Sequence, residues 1–134
     1  MSLDIALKER EGIIVFLLGG RITAGDEVSR FRTEVEKVLQ SAEPKLILNL
    51  KGVDYIDSTG LGAIVMCSTG IRRAGGAVRL VHLNRRNMEL LVMTKIDTIF
   101  EVFDDETEAV NSFFPGRTAK RFDILSFVKG TTEE

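Results

Sequence analysis

The stretch Leu46-Ile47-Leu48-Asn49-Leu50-Lys51-Gly52-Val53-Asp54-Tyr55-Ile56-Asp57-Ser58-Thr59-Gly60-Leu61-Gly62-Ala63-Ile64-Val65 decides the reading of this chain. Leu46 to Leu50 is apolar enough to be a strand buried on both faces. Lys51 to Ser58 reads as a loop. Thr59 to Ala74 reads as a helix, ended by Gly75-Gly76. A buried strand that feeds a helix through a short loop is half of a βαβ unit, and such units build parallel sheets.

Upstream, Leu3, Ile5 and Leu7 alternate with polar residues, the period of a strand with one buried face. Glu9 to Gly12 is a turn, and Ile13 to Leu18 is a second, fully buried strand closed by Gly19-Gly20, so the two form an antiparallel hairpin. A helix begins at Asp26, with Val28, Phe31, Val35, Val38 and Leu39 on one face. Pro44 stops that region. Downstream come a strand from Ala77 to His82 and a short helix capped by Asn84 that carries Met88, Leu91 and Val92. A short strand from Ile99 to Val102 follows. The last helix opens on Asp104-Asp105-Glu106 and has Ala109, Val110 and Phe113 on its apolar face. The order β-β-α-β-α-β-α-β-α predicts an α/β fold: an N-terminal β-hairpin, then βα repeats, in a mixed, mostly parallel sheet with helices mainly on one face.

A chain of 134 residues is long enough for one domain with a real core. Its formal net charge of -2 argues against a general grip on nucleic acid or on an anionic membrane. One cysteine and one histidine leave no disulfide and no metal cluster of those ligands. No cofactor motif is present: neither G-x-x-x-x-G-K-[ST] nor G-x-G-x-x-G occurs. The N-terminus lacks the pattern of a signal peptide, and no apolar run reaches the length of a membrane span, so a cytoplasmic protein is expected.

Asp57-Ser58-Thr59-Gly60-Leu61-Gly62 carries the functional signal. In the plain reading, Asp57 or Ser58 caps the helix, and Gly60 and Gly62 let it lie close to the sheet. In the sharper reading, a serine at a helix N-terminus, beyond the carboxyl end of a parallel strand, sits where N–H groups and the helix dipole favour an anion. Ser58 is then a ligand contact, a nucleophile or a phosphorylation target.

LILNLKGVDYIDSTGLGAIV resembles the central motif of STAS domains, the sulfate-transporter and anti-sigma-factor-antagonist family. GIIVFLLGGRITAGDEVSRFRTEV is similar to the family's second strand, its G-x-[LI] turn and its first helix. AVRLVHLNRRNMELLVMTKIDTIFEVFDDETEAV resembles the remaining elements. The resemblance fades near Phe114, which divides the chain into a STAS domain, 1–114, and a C-terminal extension, 115–134. It implies a stand-alone anti-sigma factor antagonist, not an enzyme. Its partner would be an anti-sigma factor that is also a serine kinase, Ser58 the phosphoacceptor, and a serine phosphatase would reverse the modification. By position, Thr23, Asp54, Asp57, Ser58, Thr59, Gly60 and Leu61 fall at the partner-binding edge. Arg85 and Arg86 join them if the turns at the carboxyl ends of the strands share that edge; otherwise the pair is an ordinary solvated loop. Thr23 stands where many antagonists have Asp, a departure at the loop that meets the kinase.

Three rivals are weighed against this. A hydrolase fails on G-x-S-x-G, because Ile56 stands where the first glycine belongs and His82 is the single histidine base. A phospho-aspartate receiver needs an acidic pair where Leu18-Gly19-Gly20-Arg21 stands. A STAS subunit of a signalling or transport complex that does not act on a sigma factor shares the same motif. Cys67, Met66 and Met93 read as packing residues. In the extension, Phe122, Ile124, Leu125, Phe127 and Val128 are too apolar for a solvated tail. They are expected to fold back on the chain, over a sheet face left open, or to join two copies as a dimer.

Overall fold

The computed structural model describes residues 3–130. Strands β1 (Leu3–Arg10) and β2 (Ile13–Ile22) form the hairpin, with Leu3 opposite Gly20 and Arg10 opposite Ile13. Then come α1 (Asp26–Val38), β3 (Lys45–Ile56), α2 (Ser58–Arg73), β4 (Ala77–Val81), α3 (Arg85–Met93), β5 (Glu101–Phe103), α4 (Glu106–Asn111) and α5 (Ile124–Lys129). The sheet order is β1-β2-β3-β4-β5; the first pair is antiparallel and the other three are parallel. Among the described residues no helix is long and apolar enough to cross a membrane.

Alternation along the strands sorts the core into two layers. Leu46, Leu48 and Leu50 of β3 join Phe16, Leu18, Val78 and Leu80 on one face, under α1 and α2. Phe31 of α1 meets Phe16 edge-on, ring centroids 6.3 Å apart. Ile13, Val15, Ile47, Val81 and Phe103 point to the other face, where Ala109 and Val110 of α4 cover them.

That second cover settles where the extension goes. Phe113, Phe114 and Ala119 complete the layer over the second face, so that face is not open to Phe122–Val128. The extension instead folds back beside α3: Ile124 is buried in the first-face core, with Phe122 and Val128 packed against it. The polar end of the extension, 131–134, lies outside the described residues, as do residues 1 and 2.

Two strands run further than the apolar pattern predicts. β2 continues to Ile22 and β3 to Ile56, through Gly19-Gly20 and through the expected loop at Lys51. Gly19 faces Gly52, and the pairing shifts between Leu17 and Gly19 and again between Gly20 and Arg21. Gly20 has φ 95, open to glycine at little cost, and such irregularities bend a strand pair without ending it. β5 begins at Glu101, two residues later than Ile99, because Ile99 still belongs to the turn after α3, its amide donating to the Ile96 carbonyl at 3.1 Å; the strand pairs with Arg79 to Val81 of β4.

Candidate functional site

The carboxyl ends of β2 and β3 meet at the N-terminus of α2. Asp57 has extended φ and ψ, −89 and 179, and its side chain accepts from the Gly60 amide at 2.7 Å. Asp57 is therefore the cap, and Ser58 is the first helical residue. The other Asp57 oxygen accepts from the Ala24 amide at 3.0 Å, and the Asp57 amide donates to the Ile22 carbonyl at 3.2 Å. These amide donors, Ala24 first and then Gly60, hold the Asp57 carboxyl below its ordinary value.

Gly60 is buried against the same junction, where any Cβ would overlap the Ile22 carbonyl. Gly62 differs: a Cβ there meets nothing within 4 Å, and the residue is exposed. Close approach to the sheet accounts for the first glycine and not for the second.

With the cap supplied by Asp57, Ser58 and Thr59 are exposed on the first turn of α2. Ser58 lies on a ridge between two grooves. The first, about 590 Å³, runs between α1 and α2 past Val28, Arg32, Leu61, Gly62 and Met66. The second, about 420 Å³, lies between the end of β3 and α3, with Tyr55, Arg86, Asn87, Leu90 and Met93 in its walls. Met66 and Met93, expected to pack, are 67% and 79% exposed and stand on these groove walls.

The second groove is held by two asparagines. Asn84 caps α3 by accepting from the Asn87 amide at 2.7 Å, and both side chains donate to the Val53 carbonyl, at 3.2 and 3.3 Å. That fixes the start of α3 to the end of β3. Arg86 then lies 5.8 Å over the Tyr55 ring, and Arg21 lies 5.3 Å from the same ring. Arg21 and Tyr55 are partners across β2 and β3.

Of the residues the sequence singles out, Asp57, Ser58, Thr59, Gly60 and Leu61 come together at the α2 N-terminus. Thr23 sits in the adjoining loop, where its carbonyl accepts from Val28 at 3.2 Å, and Asp54 is exposed on the neighbouring strand end. Arg86 shares a groove with Ser58. Arg85 turns away: it pairs with Glu89 at 3.1 Å, donates to the Val128 carbonyl at 3.1 Å and lies 5.1 Å from the Phe127 ring. Sequence reasoning does not reach Arg32, Arg21 or Tyr55. The cue for the last two is an arginine facing the single tyrosine across a strand pair, visible only once the register is known.

His82 lines a different recess, with Leu83, Asp104 and Phe122. Each Ser58 groove has one arginine, Arg32 or Arg86, among apolar side chains, with Asp57 and Glu89 also in the second, an arrangement suited to docking a protein surface.

A family model described as STAS domain matches residues 4–109. The anti-sigma-B factor antagonist of Bacillus subtilis is 30% identical over 104 residues, 76% of this chain and 92% of that protein. The anti-sigma F factor antagonist of Paenibacillus polymyxa is 26% identical over 82% of this chain and 94% of its own length. The crystal structure of an anti-sigma factor antagonist from Mycobacterium paratuberculosis superposes with a TM-score of 0.71, covering 82% of this chain and 92% of that one. At 16% identity that likeness speaks for the fold alone.

Proposed function

The chain belongs to the STAS domain family, and from that premise we propose that it is an anti-sigma factor antagonist whose partner, an anti-sigma factor and serine kinase, phosphorylates Ser58. The unmodified protein binds this partner in the cytoplasm. Phosphorylation releases it, and a serine phosphatase restores binding. The observation that carries the reading is the division of labour at the α2 N-terminus. Asp57 holds the turn, so the exposed Ser58 hydroxyl is free to be modified without unfolding the site.

The surroundings support binding as well as switching. Exposed Met66, Met93 and Tyr55 give the ridge apolar area of the kind that anchors protein interfaces. A phosphate would add about −1.5 to −2 charge in the middle of that area. The dipole of α2 favours the modified serine, while Asp54 and Asp57 repel it, so the local field changes sign and the core stays as it is.

The test uses the anti-sigma factor kinase paired with this chain in its own cell. Incubation with that kinase and ATP should label Ser58, read by mass spectrometry of the peptide. Ser58→Ala should keep the fold and bind constitutively, and Ser58→Asp should weaken binding. Label on Thr59 would move the site. Wild-type binding by both variants would overturn the switch.

A further inference from the structure

We propose that residues 121–130 are a strap that holds α3 against the domain and thereby sets the Arg86 wall of the Ser58 groove. The family model ends at residue 109, so this device belongs to the chain's own extension.

The strap is attached at both ends. At its start, Arg121 bridges Phe103 in an antiparallel pair, and the Phe122 amide donates to the Val102 carbonyl at 2.8 Å, which ties it to the edge strand β5. Asp123 caps α5, accepting from the Ser126 amide at 3.1 Å. Ile124, 4% exposed, enters the main core, and Phe122 meets Phe127 with ring centroids 5.6 Å apart. At its end, Arg85 of α3 donates to the Val128 carbonyl and lies over the Phe127 ring. Val128 is in the last turn of α5, where carbonyls lack helical donors and a cation is favoured.

Arg85 and Arg86 are consecutive on the first turn of α3 and point to opposite partners. Arg85 grips α5, and Arg86 lies over Tyr55 beside Ser58. A short helix held on one side by the strap and on the other by the groove cannot shift at one without shifting at the other. The asparagines anchor only its start, so Leu90 and Met93, further along and also in the groove wall, rely on packing. The functional weight of the strap rests on the reading of that groove as a partner site. Its mechanical hold on α3 does not.

The test therefore needs no partner. Phe127→Ala and Arg85→Ala are made singly and together in the full chain, with Leu125→Ala, also on an exposed position of α5, as control. Two signals are read: amide hydrogen exchange by element, and acrylamide quenching of Tyr55, the single tyrosine in a chain without tryptophan. Phe127→Ala and Arg85→Ala should each speed exchange in both α5 and α3 by roughly tenfold, a local opening below the global one. Tyr55 quenching should rise, α1 and α2 should stay as in wild type, and the double variant should fall short of additivity. Arg85→Lys keeps the charge but loses the planar stack, and should restore only part of the protection. Faster exchange confined to α5, unchanged Tyr55 quenching, an equal effect of Leu125→Ala, or a uniform rise across all elements would each overturn the strap. If the coupling holds while the Ser58 variants leave kinase binding unchanged, the strap stands and the switch falls.

Discussion

Asp57 and Ala24 stand 33 positions apart in sequence and meet in one hydrogen bond, the Ala24 amide donating to Asp57 Oδ2 at 3.0 Å. The same carboxylate caps α2 through Gly60. One side chain thus ties the loop after β2 to the helix that presents Ser58. Asp57→Ala should cost about 1 kcal/mol for the lost cap, and should raise the mobility of the loop around Ala24. Urea midpoints and exchange of the Ala24 amide read the two effects separately. Asp57→Asn keeps an acceptor and should cost less.

That carboxylate also sets a pH dependence. The folded-state value is depressed, so its contribution is fully present above the unfolded value, about 3.9, and is lost as pH falls through the folded value. Subtracting the acid limb of Asp57→Asn from that of wild type should leave a loss confined to that window. The carboxylate is partly exposed, so salt should shrink the difference.

A second acidic hub lies on the opposite face. Glu106 of α4 pairs with Lys8 at 3.0 Å and Arg10 at 3.1 Å, and accepts from Asn49 Nδ2 at 2.9 Å. Burial alone would raise its carboxyl, but the Asn49, Lys8 and Arg10 donors outweigh it and hold the group below its ordinary value. Glu106→Ala should strand the amide of buried Asn49 and lower stability by roughly 1–3 kcal/mol. The two substitutions together should cost less than the sum of Glu106→Ala and Asn49→Ala made alone. Thermal melts of the double-mutant cycle read this. Like Asp57, Glu106 loses its contribution as pH falls below the ordinary carboxylate range.

The hairpin, the βα order and the serine at a helix start are legible in the sequence because each rests on a local pattern. Ile13 to Leu18 and Leu46 to Leu50 have runs of apolar side chains that only a doubly covered strand explains. The ends of those strands are not legible. Lys51, Gly52 and Asp54 look like a loop, yet β3 runs on to Ile56, paired with β2 through Gly52, where a Cβ would crowd the Gly19 Cα and the Leu18 carbonyl at 3.1 Å. A bulge breaks the period of two, and with it the signal. Asp57 as cap is legible as one of two candidates; its φ and ψ and the bond it accepts from the Gly60 amide choose between them. Arg85 is the other kind of miss. Beside its helical partner Glu89, four residues on, its other contacts are at Phe127 and Val128, and Val128 is 43 positions away, so the side of α3 it faces is not written near it in sequence.

Cys67 offers a probe of opening. It lies on the buried face of α2, and burial pushes its thiol up to about 12. Reactivity needs thiolate and access together. In the folded protein Cys67 should resist a maleimide at neutral pH, and its labelling rate should follow the population of open molecules. Asp57→Ala and Glu106→Ala should speed labelling in the order of their urea midpoints. Fast labelling of the native protein would mean that α2 opens locally, without the rest.

Gly60 and Gly62, two residues apart on α2, should respond in opposite directions to the same substitution. Gly60→Ala drives a Cβ into the Ile22 carbonyl, a backbone atom that cannot swing aside, and should lower stability by about 1–3 kcal/mol. Gly62→Ala meets open space inside a helix and should raise stability by roughly 0.5–1 kcal/mol. The contrast extends to function, because Gly62 lies in the groove beside Ser58. Gly62→Leu gains the same helical preference and fills the floor between Val28 and Met66. Its melting temperature should hold or rise, and kinase labelling of Ser58 and capture of the partner should fall together. If Gly62→Leu binds as wild type does, the interface lies on the α3 side of the Ser58 ridge, and Arg86→Ala should then carry the loss.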